Sequence, residues 1–187
     1  MGKGRVARLS PQGGGLAAEA GVAHELKSFG DADGLSLAVE MERRGHRLWL
    51  RFILEGDVDA VAWPAGAAPH RTDDLWRRTC FEAFVRTADG GYVEFNLSPS
   101  GQWASYRFDG YRQGMIEASQ AVQVSGLDGG EAYAALEGVI DLPEDAQALA
   151  LSTVVERKDG RISYWALRHP SDKPDFHHPD SFVLDLL

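Results

Sequence analysis

Leu35-Ser36-Leu37-Ala38-Val39-Glu40-Met41-Glu42 sets an apolar side chain at every second position. That is the two-residue period of a strand with one buried face, not the 3.6 of a helix. Residues 43–46 read as a turn, and 47–54 repeat the alternation through Leu48, Leu50, Phe52 and Leu54, which makes a hairpin. Working outward, residues 58–63, 79–86, 92–98, 102–108, 120–125, 132–141, 149–156, 162–168 and 182–186 read as further strands, punctuated by Ala88-Asp89-Gly90-Gly91, Pro99-Ser100-Gly101, Asp109-Gly110 and Lys158-Asp159-Gly160-Arg161. Short strands every 8 to 12 residues or so, with Gly-bearing turns between them, indicate a two-sheet antiparallel β-sandwich, here of about ten strands. The one helical rival is 142–151, where Pro143, Glu144 and Asp145 suit a helix start and predict about one turn.

The chain has 187 residues, 44% of them hydrophobic and 25% charged, an ordinary globular composition. A Gly-rich arm at 1–20 followed by one sandwich domain at 21–187 is the expected organisation, with Pro-bearing loops at 64–74 and 169–180. The formal charge of −9 repels a phosphate backbone, so nucleic acid is not expected as a partner. Cys80 is the single cysteine, which excludes an intrachain disulfide and suits a reducing compartment. No run of about 18 apolar residues occurs, and the basic start leads into Ser10-Pro11-Gln12-Gly13 rather than an apolar segment. The expectation is a cytoplasmic protein without membrane contact and without a cofactor.

Residues 75–106 carry the chemistry. If Phe81, Ala83 and Val85 share a buried face with Val93, Phe95 and Leu97, parity places Glu82 opposite Asn96 and Phe84 opposite Glu94, since a one-residue slip would turn one set outward. The next hairpin, turning at Pro99-Ser100-Gly101, places Tyr106 opposite Glu94 and Phe108 opposite Tyr92. One face then holds Glu82, Glu94 and Asn96 on neighbouring strands, and a carboxylate on a central strand needs water, a cation or a ligand. Arg77, Arg78, Arg107 and Arg112 are near enough in sequence to form an Arg–Glu lattice, which is the structural alternative. Sugars pair their hydroxyls with carboxylate, amide and guanidinium groups and stack their C–H faces on aromatic rings. Trp76, Arg77, Glu82, Glu94, Asn96, Trp103, Tyr106 and Tyr111 supply both kinds and are the candidate ligand-binding residues.

Other chemistries compete for the same residues. Glu82 and Glu94 could be the carboxyl pair of a glycosidase. His169, Asp172, Asp175, His177, His178 and Asp180 contain metal-ligating atoms at a spacing that fits no metal motif, within a Pro-stiffened loop where such residues cap turns. Cys80 reads as a small buried residue.

The block Leu75-Trp76 to Glu82-Ala83-Phe84, the hairpin Tyr92 to Gly101 with Trp103, Tyr106 and Phe108-Asp109, and the ending Ser163-Tyr164-Trp165-Ala166-Leu167 with His169-Pro170 and Pro174-Asp175-Phe176-His177 resemble the DOMON-like superfamily. The likeness is to the bacterial group related to family 9 carbohydrate-binding modules, over most of the chain from about residue 35 onward. It implies a two-sheet sandwich whose relatives bind sugars or haem, it does not imply catalysis, and it makes Trp76, Glu82 and Asn96 comparable in position to sugar-binding residues. The leading expectation is therefore a non-catalytic binding domain for a saccharide or sugar-containing small molecule. A domain binding haem non-covalently through Met and His ligands drawn from Met41, Met115, His169, His177 and His178 is one alternative. A domain that binds a protein partner through its long loops is the other.

Overall fold

The computed structural model describes residues 22–186, so the arm expected at 1–20 lies outside the described residues. Thirteen antiparallel strands follow in chain order: β1 (Val22–Ser28), β2 (Leu35–Arg44), β3 (Arg47–Gly56), β4 (Cys80–Thr87), β5 (Tyr92–Leu97), β6 (Trp103–Phe108), β7 (Ile116–Glu117), β8 (Val122–Val124), β9 (Asp128–Gly129), β10 (Tyr133–Asp141), β11 (Ala146–Glu156), β12 (Ile162–Ala166) and β13 (Leu184–Asp185). Ten remain when the two-residue strands β7, β9 and β13 are set aside. All thirteen form one curled sheet with the path β7-β6-β5-β4-β11-β12-β1-β2-β3-β10-β8, β13 pairing with β11 and β9 with β10 off that path. The curl becomes a sandwich at β1, which pairs with β2 through Val22–Leu26 and with β12 through Lys27 and Ser28.

The alternation read in 35–54 is the burial pattern observed. Leu35, Leu37 and Val39 of β2 and Leu48, Leu50, Phe52 and Leu54 of β3 are buried. They face Phe81, Ala83, Val85, Val93, Phe95, Leu97, Leu149 and Leu151 of the other leaf in one apolar core. Phe52 meets Phe81 across that core with ring centroids 5.0 Å apart. The leaves approach so closely at β10 that a Cβ on Gly138 would stand 2.1 Å from Leu97 Cδ2, so a side chain there would force the core to shift.

One expectation is corrected. Residues 58–63 do not form a strand: Val58–Ala60 is a 3-10 turn, and Val61 makes a single bridge to Arg157. The three-residue spacing of Val58 and Val61, both buried, matches three residues per turn better than the strand period. The single turn expected at the start of 142–151 is one backbone turn, Ala146 N–H to the Pro143 carbonyl at 3.2 Å, before β11 begins at Ala146. Ladders with β4 on one side and β12 on the other override the local signal. The sequence reading missed strand β1 and the two-residue strands β7 and β9.

Candidate functional site: a cleft over the outer face of the second leaf

The register derived from parity is the register observed. Glu82 pairs with Asn96 and Phe84 with Glu94 across β4 and β5. Glu94 pairs with Tyr106 and Tyr92 with Phe108 across β5 and β6. The face turned away from the core is covered by three chain segments, and between them lies a cleft of about 920 Å³ with Glu82 and Glu94 in its floor.

Each wall is tied down by identifiable contacts. The wall before β4 is carried on β6, where Thr72 N–H donates to the Trp103 carbonyl at 2.9 Å and Trp103 N–H to that of His70 at 3.2 Å. Arg71 reinforces it by donating to the carbonyls of Ser105 and Ala118, both at 2.7 Å. The 3-10 turn Leu75–Arg77 then packs Leu75 against the outer-face aromatics and leaves Trp76 49% exposed at the rim. The other two walls are clamped together by Asp175, which accepts from Tyr111 at 2.6 Å and from Arg112 at 2.9 Å. Burial works against the Asp175 carboxylate, but these two donors outweigh it and hold it below the usual carboxylate range.

Beneath the walls, Phe84, Tyr92, Phe108 and His177 form an aromatic cluster in which Tyr92 and Phe108 stack at 4.7 Å. The Arg112 N–H donates to the Tyr92 oxygen at 3.2 Å, and the Tyr92 hydroxyl lies 2.7 Å from His177 Nδ1. The network assigns the hydroxyl hydrogen to Nδ1, which leaves the imidazole proton on Nε2, 3.9 Å from Glu94 Oε2. Burial, with the Arg112 charge adding to it, pushes the His177 pKa down to about 4. The contact with Glu94 therefore joins a neutral ring to a carboxyl and is not an ion pair at neutral pH.

The floor carboxyls are deeply set, with Glu82 2% and Glu94 6% exposed. Ser152 Oγ donates to Glu82 Oε2 at 3.2 Å, and Asn96 Nδ2 donates to Glu94 Oε1 at 2.8 Å. Burial raises the Glu82 pKa well above its ordinary value, with the neighbouring Glu94 charge adding to the effect. Burial likewise lifts Glu94 to about 7 against the opposing Asn96 bond and Arg112 charge. With the Glu82 pKa raised by burial and the Glu94 pKa at about 7, a proton shared in this floor lets one carboxyl donate to a group while the other accepts from another.

Of the eight candidate residues, Trp76, Arg77, Glu82, Glu94 and Tyr106 line the cleft. Asn96 is fully buried beneath it and holds Glu94. Trp103 packs on the core side with Arg71 over its ring at 4.9 Å. Tyr111 lies in a small adjacent depression, donating to Asp175. The residues the sequence reading did not assign to this site are Ile116, Tyr164 and Phe176 at its sides and His177 and Arg112 behind the carboxyls. Tyr164 follows from the pairing of β11 with β12, where it stands opposite Val154.

The alternative Arg–Glu lattice does not form around Glu82 and Glu94. Arg77 pairs with Asp74, Arg78 with Glu156, Arg107 with Asp89 and Arg112 with Asp175. Within 169–180, Asp175 is held by Tyr111 and Arg112, His177 by Tyr92 and His178 by the Asp180 N–H, and the described residues contain no group of three or more side chains placed to hold a metal ion. Met115 is exposed at the cleft, whereas His169 lies outside its lining, with Nε2 2.8 Å from the Lys27 carbonyl. The Cys80 thiol is buried, and burial pushes its pKa up. Among the described residues, no helix is long and apolar enough to cross a membrane.

No protein-family model matches the chain, and no curated protein matches it in sequence. Among solved structures it is similar to a protein of Bacteroides uniformis described as a "putative carbohydrate-binding protein", with a TM-score of 0.55 and 15% identity over 86% of this chain and 84% of that one. It is also similar to a family 9 carbohydrate-binding module of Caldicellulosiruptor kristjanssonii in complex with cellotriose, with a TM-score of 0.48 and 6% identity over 78% of this chain and 72% of that one. The first likeness shows the fold, an antiparallel β-sandwich.

Proposed function

We propose that this chain is a non-catalytic binding domain whose cleft over β4, β5 and β6 takes a saccharide or sugar-containing small molecule. The observation that carries the reading is the composition of one cavity. Glu82 and Glu94 stand in its floor, while Trp76, Met115, Ile116 and Tyr164 supply ring and apolar surface around it. Polar groups at the centre with apolar surface at the sides match a sugar's hydroxyl edge and C–H face. The two solved structures named for carbohydrate binding agree with this choice of ligand, as does the resemblance to DOMON-like and family 9 modules. A cytoplasmic address, inferred from the lone buried cysteine, directs the search toward small soluble glycosides.

The test is calorimetric titration with mono- and oligosaccharides. A sugar that binds the wild type should bind Glu82→Leu tenfold or more weakly, because Leu keeps the volume but removes oxygens worth about 1.5 to 3 kcal/mol in a charged hydrogen bond. Absence of binding across the panel overturns the reading. The raised Glu82 and Glu94 pKa values favour one rival, acid–base hydrolysis. That rival requires turnover of aryl glycosides by the wild type, abolished in Glu82→Gln while binding persists.

A further inference from the structure

Two carboxyl oxygens in the floor of the cleft have no hydrogen-bond partner among the described residues. Ser152 occupies only Oε2 of Glu82, and Asn96 only Oε1 of Glu94, which leaves Glu82 Oε1 and Glu94 Oε2 without a donor in side chains that line the cavity and are more than nine-tenths buried. Neither oxygen is sealed from solvent, so each stays open to the cleft, where a bound donor can reach it. The two residues are diagonal neighbours of the β4–β5 ladder, about 7 to 8 Å apart at the backbone in such a register, so both side chains reach one group between them.

The charges around the pair do not neutralise it. Five carboxyls and two guanidiniums line the cleft, and both guanidiniums are engaged elsewhere, Arg77 by Asp74 at 3.2 Å and Arg112 by Asp175 at 2.9 Å. Of the remaining acids, Asp73 accepts from the Tyr106 hydroxyl at 2.6 Å, Asp74 holds Arg77, and Glu117 lies 3.8 Å from Arg71. Tyr92 and Tyr106 are un-ionised phenols, and His177 is neutral with its Nδ1 occupied. The only acids of the cleft left without a cation or a phenol donor are Glu82 and Glu94.

We propose that the ligand carries a protonated primary amine, seated between Glu82 and Glu94, so that the cleft selects amino sugars over their hydroxyl and N-acetyl counterparts. This rests on the saccharide reading for the rest of the ligand. An ammonium group has three donors and no acceptor, which complements two partnerless carboxylate oxygens, and an N-acetyl group is neutral and offers a single N–H there. Binding the ammonium favours the ionised pair, so the carboxyls release protons to solvent as the amine enters, and affinity rises with pH while they are being ionised.

The experiment is titration calorimetry of the intact protein with glucosamine and its β-linked oligomers, the matching N-acetyl and neutral glucose series, and spermidine as an amine without a sugar. The amino sugars should bind at least tenfold tighter than either counterpart series, with affinity rising with pH as Glu94 ionises around pH 7. Glu82→Gln and Glu94→Gln should each abolish the preference while an unchanged or higher thermal midpoint shows that they fold. Equal binding of the N-acetyl or glucose series overturns the amine inference and leaves the saccharide reading intact. Spermidine binding as tightly as the amino sugars upholds the amine inference and sinks the saccharide reading, and failure of every amine to bind overturns the inference.

Discussion

β4 and β5 are buried on both faces by different means. Toward the other leaf, Phe81, Ala83, Val85, Val93, Phe95 and Leu97 meet apolar side chains and are wholly excluded from solvent. On the opposite face Glu82, Phe84, Glu94 and Asn96 are almost as inaccessible, yet loops cover them, polar atoms bond only part of their capacity, and a cleft remains above. Depth alone therefore does not separate framework from site. The inner face has no unmet polar requirement, whereas the outer face keeps carboxyl oxygens that lack a protein partner and open onto the cleft, a condition that suits a ligand.

The largest expected effect breaks the inner face. Phe95 is fully buried at the centre of β5, opposite Ala83, so Phe95→Ala should cost about 3 to 5 kcal/mol as a lowered denaturation midpoint. An unchanged midpoint would mean that the inner face is not the framework.

A smaller effect with the opposite sign tests the outer face. Glu94 has an ordinary pKa of 4.5 when unfolded and about 7 when folded, chiefly through burial. Between those values the native state holds more protons than the unfolded one, so this group's contribution to stability is full below pH 4.5 and is lost as pH rises through 7. At roughly 1.4 kcal/mol per unit the loss is of order 3 kcal/mol by pH 8. Glu82 acts in the same direction. His177, held neutral down to about pH 4, acts oppositely, losing stability as pH falls below 6.5. Glu94→Gln, which can still accept from Asn96, should match the wild type near pH 4.5 and exceed its stability at pH 8, measured by urea unfolding at both. Equal stability at pH 8 would show that the carboxyl is not buried at a cost.

The register and both faces of β4–β6 were legible because a pleat has a period of two and Gly-bearing turns pin the pairing. What roofs the outer face was not. The contacts that build the walls join residues far apart in sequence, 63 positions for Arg112 and Asp175, and 85 for Tyr92 and His177, and no local pattern announces them. Strand β1 was missed because His24 stands where its alternation needs an apolar residue, although Leu26 is buried. Residues 58–63 misled because a 3-10 turn buries every third residue, and two valines three apart pass for a short strand. Trp103 shows residue type overruling geometry. The parity argument already sets it opposite Leu97, on the core face, and the reading of aromatics as sugar platforms moved it to the site.

The two tryptophans supply the finest test of the comparison. Trp103 packs on the core, carries Arg71 over its ring and pairs with Leu97, so Trp103→Ala removes a piece of the framework and the anchor of one cleft wall. Trp76 stands half exposed on a 3-10 turn, its ring met by the Arg77 guanidinium at 5.1 Å, a contact worth little in solvent. Trp76→Ala should therefore stay within about 0.5 kcal/mol of wild-type stability. Its effect should appear in binding instead, as a severalfold loss of affinity for the saccharide that titrates the cleft, in line with about 0.5 to 1.5 kcal/mol for an aromatic contact. Denaturation and titration of both variants separate the roles. If Trp76→Ala unfolds as readily as Trp103→Ala, Trp76 belongs to the framework and the cleft loses its one exposed ring. If it keeps both stability and affinity, the ligand is held by the carboxyl floor alone.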